Sequence, residues 1–170
     1  MSLVTSISLE LSDIEETIDL GKLSHARNPH SLNRRKACLP GTRTSTLDEI
    51  IGWICDPTAS RARFILGPAG AGKSAVAHAI GQHFNGLRRL AALVSFDSNF
   101  ANDCHPNSFL CTLALSIADW NTDFRKALHD VLKRESQSHL QHSPEIEQQW
   151  KLLIVEPAKA VAFVGAVVVV

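Results

Sequence analysis

Amphipathic helices are the first structures that the hydrophobic pattern predicts. Four apolar residues recur at the i, i+3, i+4 and i+7 spacing that places side chains on one helical face: Leu47, Ile50, Ile51 and Ile54. Thr46 and Glu49 have the spacing of a capping box, in which the two side chains satisfy free N–H groups of the first turn. The sequence therefore predicts a helix over residues 46–55.

The same periodicity predicts helices in five other parts of the chain. They lie at residues 7–18, from Lys73 to a stop at Asn85-Gly86, from Pro106 through Trp120, over about residues 124–132, and from Pro144 to an end at Pro157. Residues 24–41 mix Pro, Asn, Ser and Arg without a period, as is typical of a connector. We therefore expect a poorly ordered helix and linker over residues 1–37, followed by a domain over residues 38–170.

Three continuous apolar runs predict buried strands between these helices. They are "RARFIL" at residues 61–66, "LAALVSF" at residues 90–96 and "AVAFVGAVVVV" at residues 160–170. The order of strand, helix, strand, further helices and strand is typical of an α/β domain. The sequence thus predicts a parallel sheet with helices between its strands.

The loop between the first predicted strand and the next helix carries the clearest chemical signal. It reads Gly67, Pro68, Ala69, Gly70, Ala71, Gly72, Lys73 and Ser74, which matches the pattern G-x-x-x-x-G-K-[ST]. Glycine reaches the backbone angles that let successive N–H groups wrap around an anion, and it leaves no side chain in the way. A helix that begins near Lys73 would point its positive end at the same place.

These residues predict a nucleotide site with ATP or GTP as ligand and Mg²⁺ as metal. Lys73 is suited to the β and γ phosphates, and the Ser74 hydroxyl is the candidate metal ligand. The alternative is a glycine-rich turn with an incidental lysine. The flanking strand and helix patterns favour the phosphate site, because that motif requires a strand before the loop and a helix after it.

Composition limits the other classes of function. The chain has 170 residues, 45% of them apolar, and 17 basic against 17 acidic residues, which indicates a globular protein without a broad surface for nucleic acid. Charge is uneven at the start, where residues 1–20 hold five acids and no Lys or Arg, and residues 22–43 hold six bases and no acid. A solvated linker explains this pattern more simply than a binding arm.

Cysteine usage and the termini favour a cytoplasmic protein. The four cysteines show no zinc-type spacing and are interpreted as reduced packing residues: Cys38, Cys55, Cys104 and Cys111. The first residues lack the pattern of a signal peptide. The apolar run at residues 160–170 is much shorter than the ~20 residues of a membrane-spanning helix, so no membrane contact is expected.

Four segments resemble one known family. They are "CLPGTRTSTLDEIIGWI", "FILGPAGAGKSAVAHAI", "SFLCTLALSIA" and "EQQWKLLIVEPA". Over about residues 38–170 the chain is similar to the fungal NACHT-type signal-transduction ATPases, relatives of the NOD-like receptors with a nephrocystin-3-like N-terminal domain. The resemblance implies a P-loop NTPase fold, a three-layer α/β/α parallel sheet of which about three strands are present here.

The resemblance also implies a second site residue and a switch function. In the family the segment that holds Arg43 packs near the nucleotide base, so Arg43 becomes a nucleotide-binding candidate, with a surface arginine as the alternative. Family members hydrolyse ATP or GTP slowly and use the bound nucleotide as a switch. Their last apolar strand continues into an acidic stretch that helps to hold Mg²⁺, and this sequence reaches Val170 without it.

From these observations we expect the truncated nucleotide-binding domain of a signalling NTPase, with no catalytic residue named. Asp97 is a weaker candidate metal ligand, and His78 and His83 are expected to be solvated or packed. One alternative is a non-catalytic fragment that self-associates or binds full-length NACHT proteins, and another is an unrelated P-loop kinase. In the family, the strands that pair with the equivalent of residues 61–66 come later in the domain than the position of Val170. Residues 61–66 are therefore expected either to pair with residues 160–170 or to fold poorly.

Overall fold

The computed structural model describes residues 20, 23, 36–94, 106–134, 145–161 and 167–169. Contacts divide the chain into two units, one of Pro29–Ser95 with Val164–Val170 and the other of Met1–Asn28 with Phe96–Phe163. The helix predicted at residues 7–18 and the predicted helix start at Pro144 lie outside the described residues.

In the residues that the structure describes, the unit that contains the glycine-rich loop has two α-helices and two strands. These are α1 at Thr44–Cys55, α2 at Lys73–Gly86, β1 at Leu90–Leu93 and β2 at Val167–Val169. Five buried apolar residues form its core: Ile50, Val76, Ile80, Phe84 and Val167. The apolar faces predicted for α1 and α2 are therefore confirmed, because Leu47, Ile51 and Ile54 pack against this same core.

A small parallel sheet joins two distant parts of the chain. β1 pairs with β2 in a register that sets Leu90 opposite Val167 and Leu93 opposite Val169, with an irregularity after Leu90. The Val94 N–H donates to the Val169 carbonyl at 2.8 Å, which extends the ladder by one residue. The fold is thus α/β with a parallel sheet, and the strands predicted at residues 90–96 and 160–170 are confirmed over these shorter lengths.

The beginning of α1 differs from the prediction. The helix starts at Thr44, and Arg43 is its N-cap residue in the left-handed conformation, with φ at 56° and no side-chain cap. Thr46 lies inside the first turn, and the Glu49 carboxylate pairs with the Arg63 guanidinium instead of capping the helix. The predicted capping box is wrong, because an ion pair with a distant residue takes the glutamate that the box requires.

The strand predicted at residues 61–66 is also wrong. The structure assigns no strand there, and the side chains of Phe64 and Leu66 are 85% and 89% exposed. β2 pairs with β1 and not with this segment, so the described residues contain two strands and not about three. The run is apolar enough for a buried strand, but within the described part of the chain no other strand lies beside it.

The other unit is helical. It contains α3 at Pro106–Trp120, α4 at Thr122–Arg134, α5 at Ile146–Trp150, a π-helical segment at Lys151–Val155 and α6 at Glu156–Ala158. Asn121 caps α4, since its Oδ1 accepts the Phe124 N–H at 2.8 Å. Phe124, Leu128 and Leu153 are fully buried, which confirms the predicted apolar faces. None of the helices in the described ranges has the length and apolar character needed to cross a membrane.

Helical structure continues past the proline that was expected to end it. Pro157 is buried and lies in the first turn of α6. The backbone before it is helical as well, with Val155 and Glu156 in the right-handed region, so Pro157 removes one N–H donor from a continuous helical run. The π-helical segment at Lys151–Val155 immediately precedes this proline, so the helix is locally widened where the donor is missing.

Replacing Phe84 tests the core of the loop-bearing unit. Phe84 is fully buried on α2, so we expect Phe84→Ala to lower the free energy of unfolding by about 3–5 kcal/mol, measured by urea denaturation. Leu87→Ala is the matched control at the end of the same helix, where the leucine is 54% exposed, and it should change stability by less than about 0.5 kcal/mol. Equal losses in the two variants would contradict the assignment of this core.

Candidate functional site

The glycine-rich loop turns sharply before α2 begins. Gly70 and Gly72 have φ at 75° and 81°, a region that residues with a β-carbon rarely occupy. The Ala71 N–H donates to the Pro68 carbonyl at 3.2 Å and closes the turn between them. Two of the three glycines in the motif are therefore required by the backbone path of the loop.

The loop ends at an N-terminus of α2 whose backbone donors are free. Gly72 is the N-cap residue and, having no side chain, provides no cap. In the described part of the chain, the backbone N–H groups of Gly72, Lys73 and Ser74 donate to no backbone carbonyl. Free N–H groups and the positive end of the helix dipole make such a terminus favourable for an anion.

Lys73 bonds to the loop itself. Its Nζ donates to the Gly67 carbonyl at 2.8 Å and to the Pro68 carbonyl at 2.9 Å. These two bonds hold the ammonium group against the first residues of the motif, while Ser74, next in the chain, is exposed. The predicted phosphate and metal ligands thus lie side by side at the start of one helix.

Arg43 lies against the same loop. A methyl group built on Gly72 would stand 2.8 Å from Arg43 Nη2 and 3.1 Å from Cζ, so the guanidinium packs directly on the glycine. Arg43 is also one of two non-glycine residues with positive φ in the described ranges, together with Arg88. The structure therefore brings Arg43 to the loop, and this contact requires glycine at position 72.

Charge in the loop-bearing unit favours an anionic ligand. Its sequence contains nine Lys and Arg against three Asp and Glu, whereas the helical unit contains eight against fourteen. The zero net charge of the whole chain therefore hides two units of opposite sign. A cationic unit raises the local concentration of anions near an exposed loop and speeds their association.

His78 is a buried residue that the sequence did not single out as such. Only 3% of it is exposed, and its Nδ1 has no hydrogen-bond partner in the structure. One turn further along α2, the buried Nε2 of Gln82 also has none. Burial, with a smaller contribution from the Lys36 charge, lowers the pKa of His78 below its usual value. His83 is exposed, and Asp97 lies outside the described residues.

The cysteines have different environments. Cys111 is buried and Cys38 packs against the core of the loop-bearing unit, so both agree with the predicted packing role. Cys55 is exposed, and its Sγ accepts a hydrogen bond from Arg89 Nη1 at 3.7 Å, so the packing role is wrong there. Cys104 lies outside the described residues.

Comparison with known proteins identifies one family. The family model described as nephrocystin 3, N-terminal, matches residues 41–170, which include Arg43 and the whole glycine-rich loop. This confirms the nephrocystin-3-like part of the resemblance. No curated protein and no solved structure matches the chain.

Paired glycine substitutions test the contact between Arg43 and the loop. Gly70→Ala and Gly72→Ala both force a β-carbon into the left-handed region, at a cost of roughly 1–2 kcal/mol in the free energy of unfolding. Only Gly72→Ala also displaces the guanidinium of Arg43, and because this exposed, flexible side chain can move aside, the added cost should be at most about 0.5 kcal/mol. Chemical denaturation measures both values. In an Arg43→Ala background the extra cost should vanish, and an extra cost that persists would contradict the contact.

The buried His78 should make the protein less stable in mild acid. Its pKa is lower in the folded chain than in the unfolded chain, so the unfolded chain binds more protons below about pH 6.5. The contribution of neutral, buried His78 to the free energy of unfolding is therefore complete above that pH. It is lost as the pH falls through the lowered pKa, by at most about 1.4 kcal/mol per pH unit. Denaturation midpoints between pH 5 and 7.5 measure this slope. His78→Leu should flatten it and His83→Leu should not; equal slopes in both variants would assign the effect elsewhere.

Proposed function

Because the chain belongs to the nephrocystin 3 N-terminal family, we propose that it binds ATP or GTP with Mg²⁺ through residues 67–74, as a P-loop nucleotide switch of the NACHT type. One observation carries this proposal: the loop presents free backbone donors, the Lys73 ammonium and the Arg43 guanidinium at a single helix start. Each of these groups recognises phosphate, and no acidic side chain lies within residues 67–74 to oppose it.

Different groups of the loop would bind different parts of the Mg-nucleotide. The N–H groups of Gly72, Lys73 and Ser74 would hold phosphate oxygens, and left-handed glycines give the backbone the path that such wrapping needs. Lys73 would bind the β and γ phosphates and Ser74 the metal ion. Mg²⁺ would neutralise part of the phosphate charge. On nucleotide binding, the Lys73 ammonium would leave the Gly67 and Pro68 carbonyls and donate to phosphate oxygens instead.

Arg43 adds a charge from outside the loop. Its guanidinium reaches the loop from the N-cap of α1, so α1 and α2 both contribute to one site. A planar guanidinium can bind a phosphate through two parallel hydrogen bonds. This favours a phosphate site over a glycine-rich turn with an incidental lysine, because such a turn alone does not explain why a second cation lies against it.

Nucleotide binding does not require hydrolysis, and binding is what we propose for this loop. The described residues place no carboxylate at the loop, so no general base or water-positioning acid is assigned. A switch requires only that nucleotide binds one conformation more tightly than another. ATP and GTP share the phosphate chemistry that the loop recognises, so the titration has an arm for each nucleotide.

Calorimetric titration of the chain with Mg-ATP and Mg-GTP tests the proposal. We expect saturable binding of at least one nucleotide, weakened in Lys73→Ala by roughly 1.5–3 kcal/mol, or about ten- to 150-fold in Kd, since a charge-assisted hydrogen bond is lost. Arg43→Ala should weaken binding less. Circular dichroism of every variant first establishes that it is folded.

Arg88→Ala is the matched control for charge. Arg88 is an exposed arginine of the same unit, also with positive φ, at the far end of α2. It should bind nucleotide like the unsubstituted chain. A Kd for Mg-ATP and Mg-GTP that does not change in Lys73→Ala would remove Lys73 from the site, and folded protein that binds neither nucleotide would refute the proposal.

A further inference from the structure

We propose that Glu49, an exposed residue of α1, positions the glycine-rich loop for nucleotide through its ion pair with Arg63. This role rests on the proposed function, since its effect is on how tightly the loop binds nucleotide. Glu49 is one of three acidic residues in the loop-bearing unit, and repulsion alone would make an acid unfavourable in a unit that binds an anion. The helix that carries Glu49 also carries Arg43, so α1 contacts both the loop and the segment before it.

The start of α1 contacts the last part of the loop. The Arg43 guanidinium packs on Gly72, where an added methyl group would stand 2.8 Å from Nη2. Gly72 is the N-cap residue of α2 and directly precedes Lys73. The end of the loop that presents the free backbone donors is therefore held against the start of α1.

The middle of α1 contacts the chain that leads into the loop. Arg63 lies four residues before Gly67, the first residue of the loop, and its guanidinium pairs with the Glu49 carboxylate. The same guanidinium lies 5.9 Å from the centre of the Trp53 ring, one turn further along α1. Glu49 and Trp53 therefore share one arginine, and only 32% of that side chain is exposed.

Hydrogen bonds in the turn after α1 bring Arg63 back to the helix. The Asp56 carboxylate accepts the Thr58 N–H at 2.8 Å and the Thr58 hydroxyl at 2.6 Å. Further along the turn, Trp53 Nε1 donates to Ser60 Oγ at 3.4 Å. These bonds order the path from the end of α1 to Arg63, so the ion pair is not an isolated surface contact.

Lys73 connects the two ends of the loop before nucleotide binds. Its Nζ donates to the Gly67 carbonyl at 2.8 Å, and Gly67 follows the segment that Arg63 holds against α1. One helix therefore holds the loop at both ends, through Arg63 at the beginning and through Arg43 at the end. A loop that is already held in its binding geometry loses less conformational entropy when a ligand binds, so its affinity is higher.

Electrostatic repulsion alone predicts the opposite effect of removing Glu49. Its carboxylate repels an anionic nucleotide, so Glu49→Gln should raise the affinity if charge were the only influence. If Glu49 positions the loop through Arg63, the same change should lower the affinity. The direction in which Kd changes therefore separates the two roles.

Calorimetric titration of the full chain with Mg-ATP and Mg-GTP measures this direction. We expect Glu49→Gln to raise Kd about two- to fivefold, the range for a partly exposed ion pair. Asp48→Asn, which removes the neighbouring exposed acid of α1, should leave Kd unchanged or lower it. Glu49→Arg should also weaken binding, and adding Arg63→Glu to it should restore part of the affinity although it removes a positive charge. An unchanged or lower Kd in Glu49→Gln, or a double variant that binds more weakly than Glu49→Arg alone, would refute the positioning role.

The amide resonances of the glycines report on the loop without nucleotide. In the chain with isotope-labelled glycine, Glu49→Gln should shift the resonances of Gly67 and Gly72. The resonance of Gly86, at the far end of α2, should stay in place, and Asp48→Asn should move none of the three. Unmoved Gly67 and Gly72 resonances in Glu49→Gln would refute the positioning role even if no nucleotide bound. If the unsubstituted chain bound neither nucleotide but these shifts appeared, the proposed function would be refuted and Glu49 would still position the loop.

Discussion

Burial of one face of α2 is the interaction on which the loop-bearing unit depends. Val76, Ile80 and Phe84 point into a core completed by Ile50 of α1 and Val167 of β2. This packing fixes where the N-terminus of α2 lies, and the glycine-rich loop can only follow it. The position of Lys73 and Ser74 is therefore set by apolar contacts up to three turns away from them.

The constraint at the loop itself is conformational. Arg43 and Gly72 are the N-cap residues of α1 and α2, both adopt the left-handed region, and they touch. Glycine adopts this region without strain, but an arginine there costs roughly 1–2 kcal/mol. The unit therefore tolerates strain at Arg43 while it places a cation on the loop, an arrangement often found at functional sites.

Sequence patterns predicted the helices and the glycine-rich loop well, but they predicted poorly which distant segments and side chains contact one another. Helical periodicity located α1 to α4 because each apolar face is encoded within a few turns, and the motif located the loop because only glycine allows its backbone path. The strand at residues 61–66 was wrong because apolar character does not show whether a partner strand exists. The ion pair of Glu49 with Arg63 removed the predicted cap, and the burial of His78 left no signal in a single helical histidine. Arg43 was connected to the loop only through the family resemblance.

The parallel pairing of β1 with β2 has a consequence for the order in which the protein is made. Leu90 and Val167 are 77 residues apart in the sequence, so closing this contact carries a large loop entropy and favours slow folding. During synthesis α2 leaves the ribosome long before β2 exists. The core around Val167 therefore remains incomplete until the helical unit has been translated, and during that interval the apolar face of α2 lacks its contact with Val167.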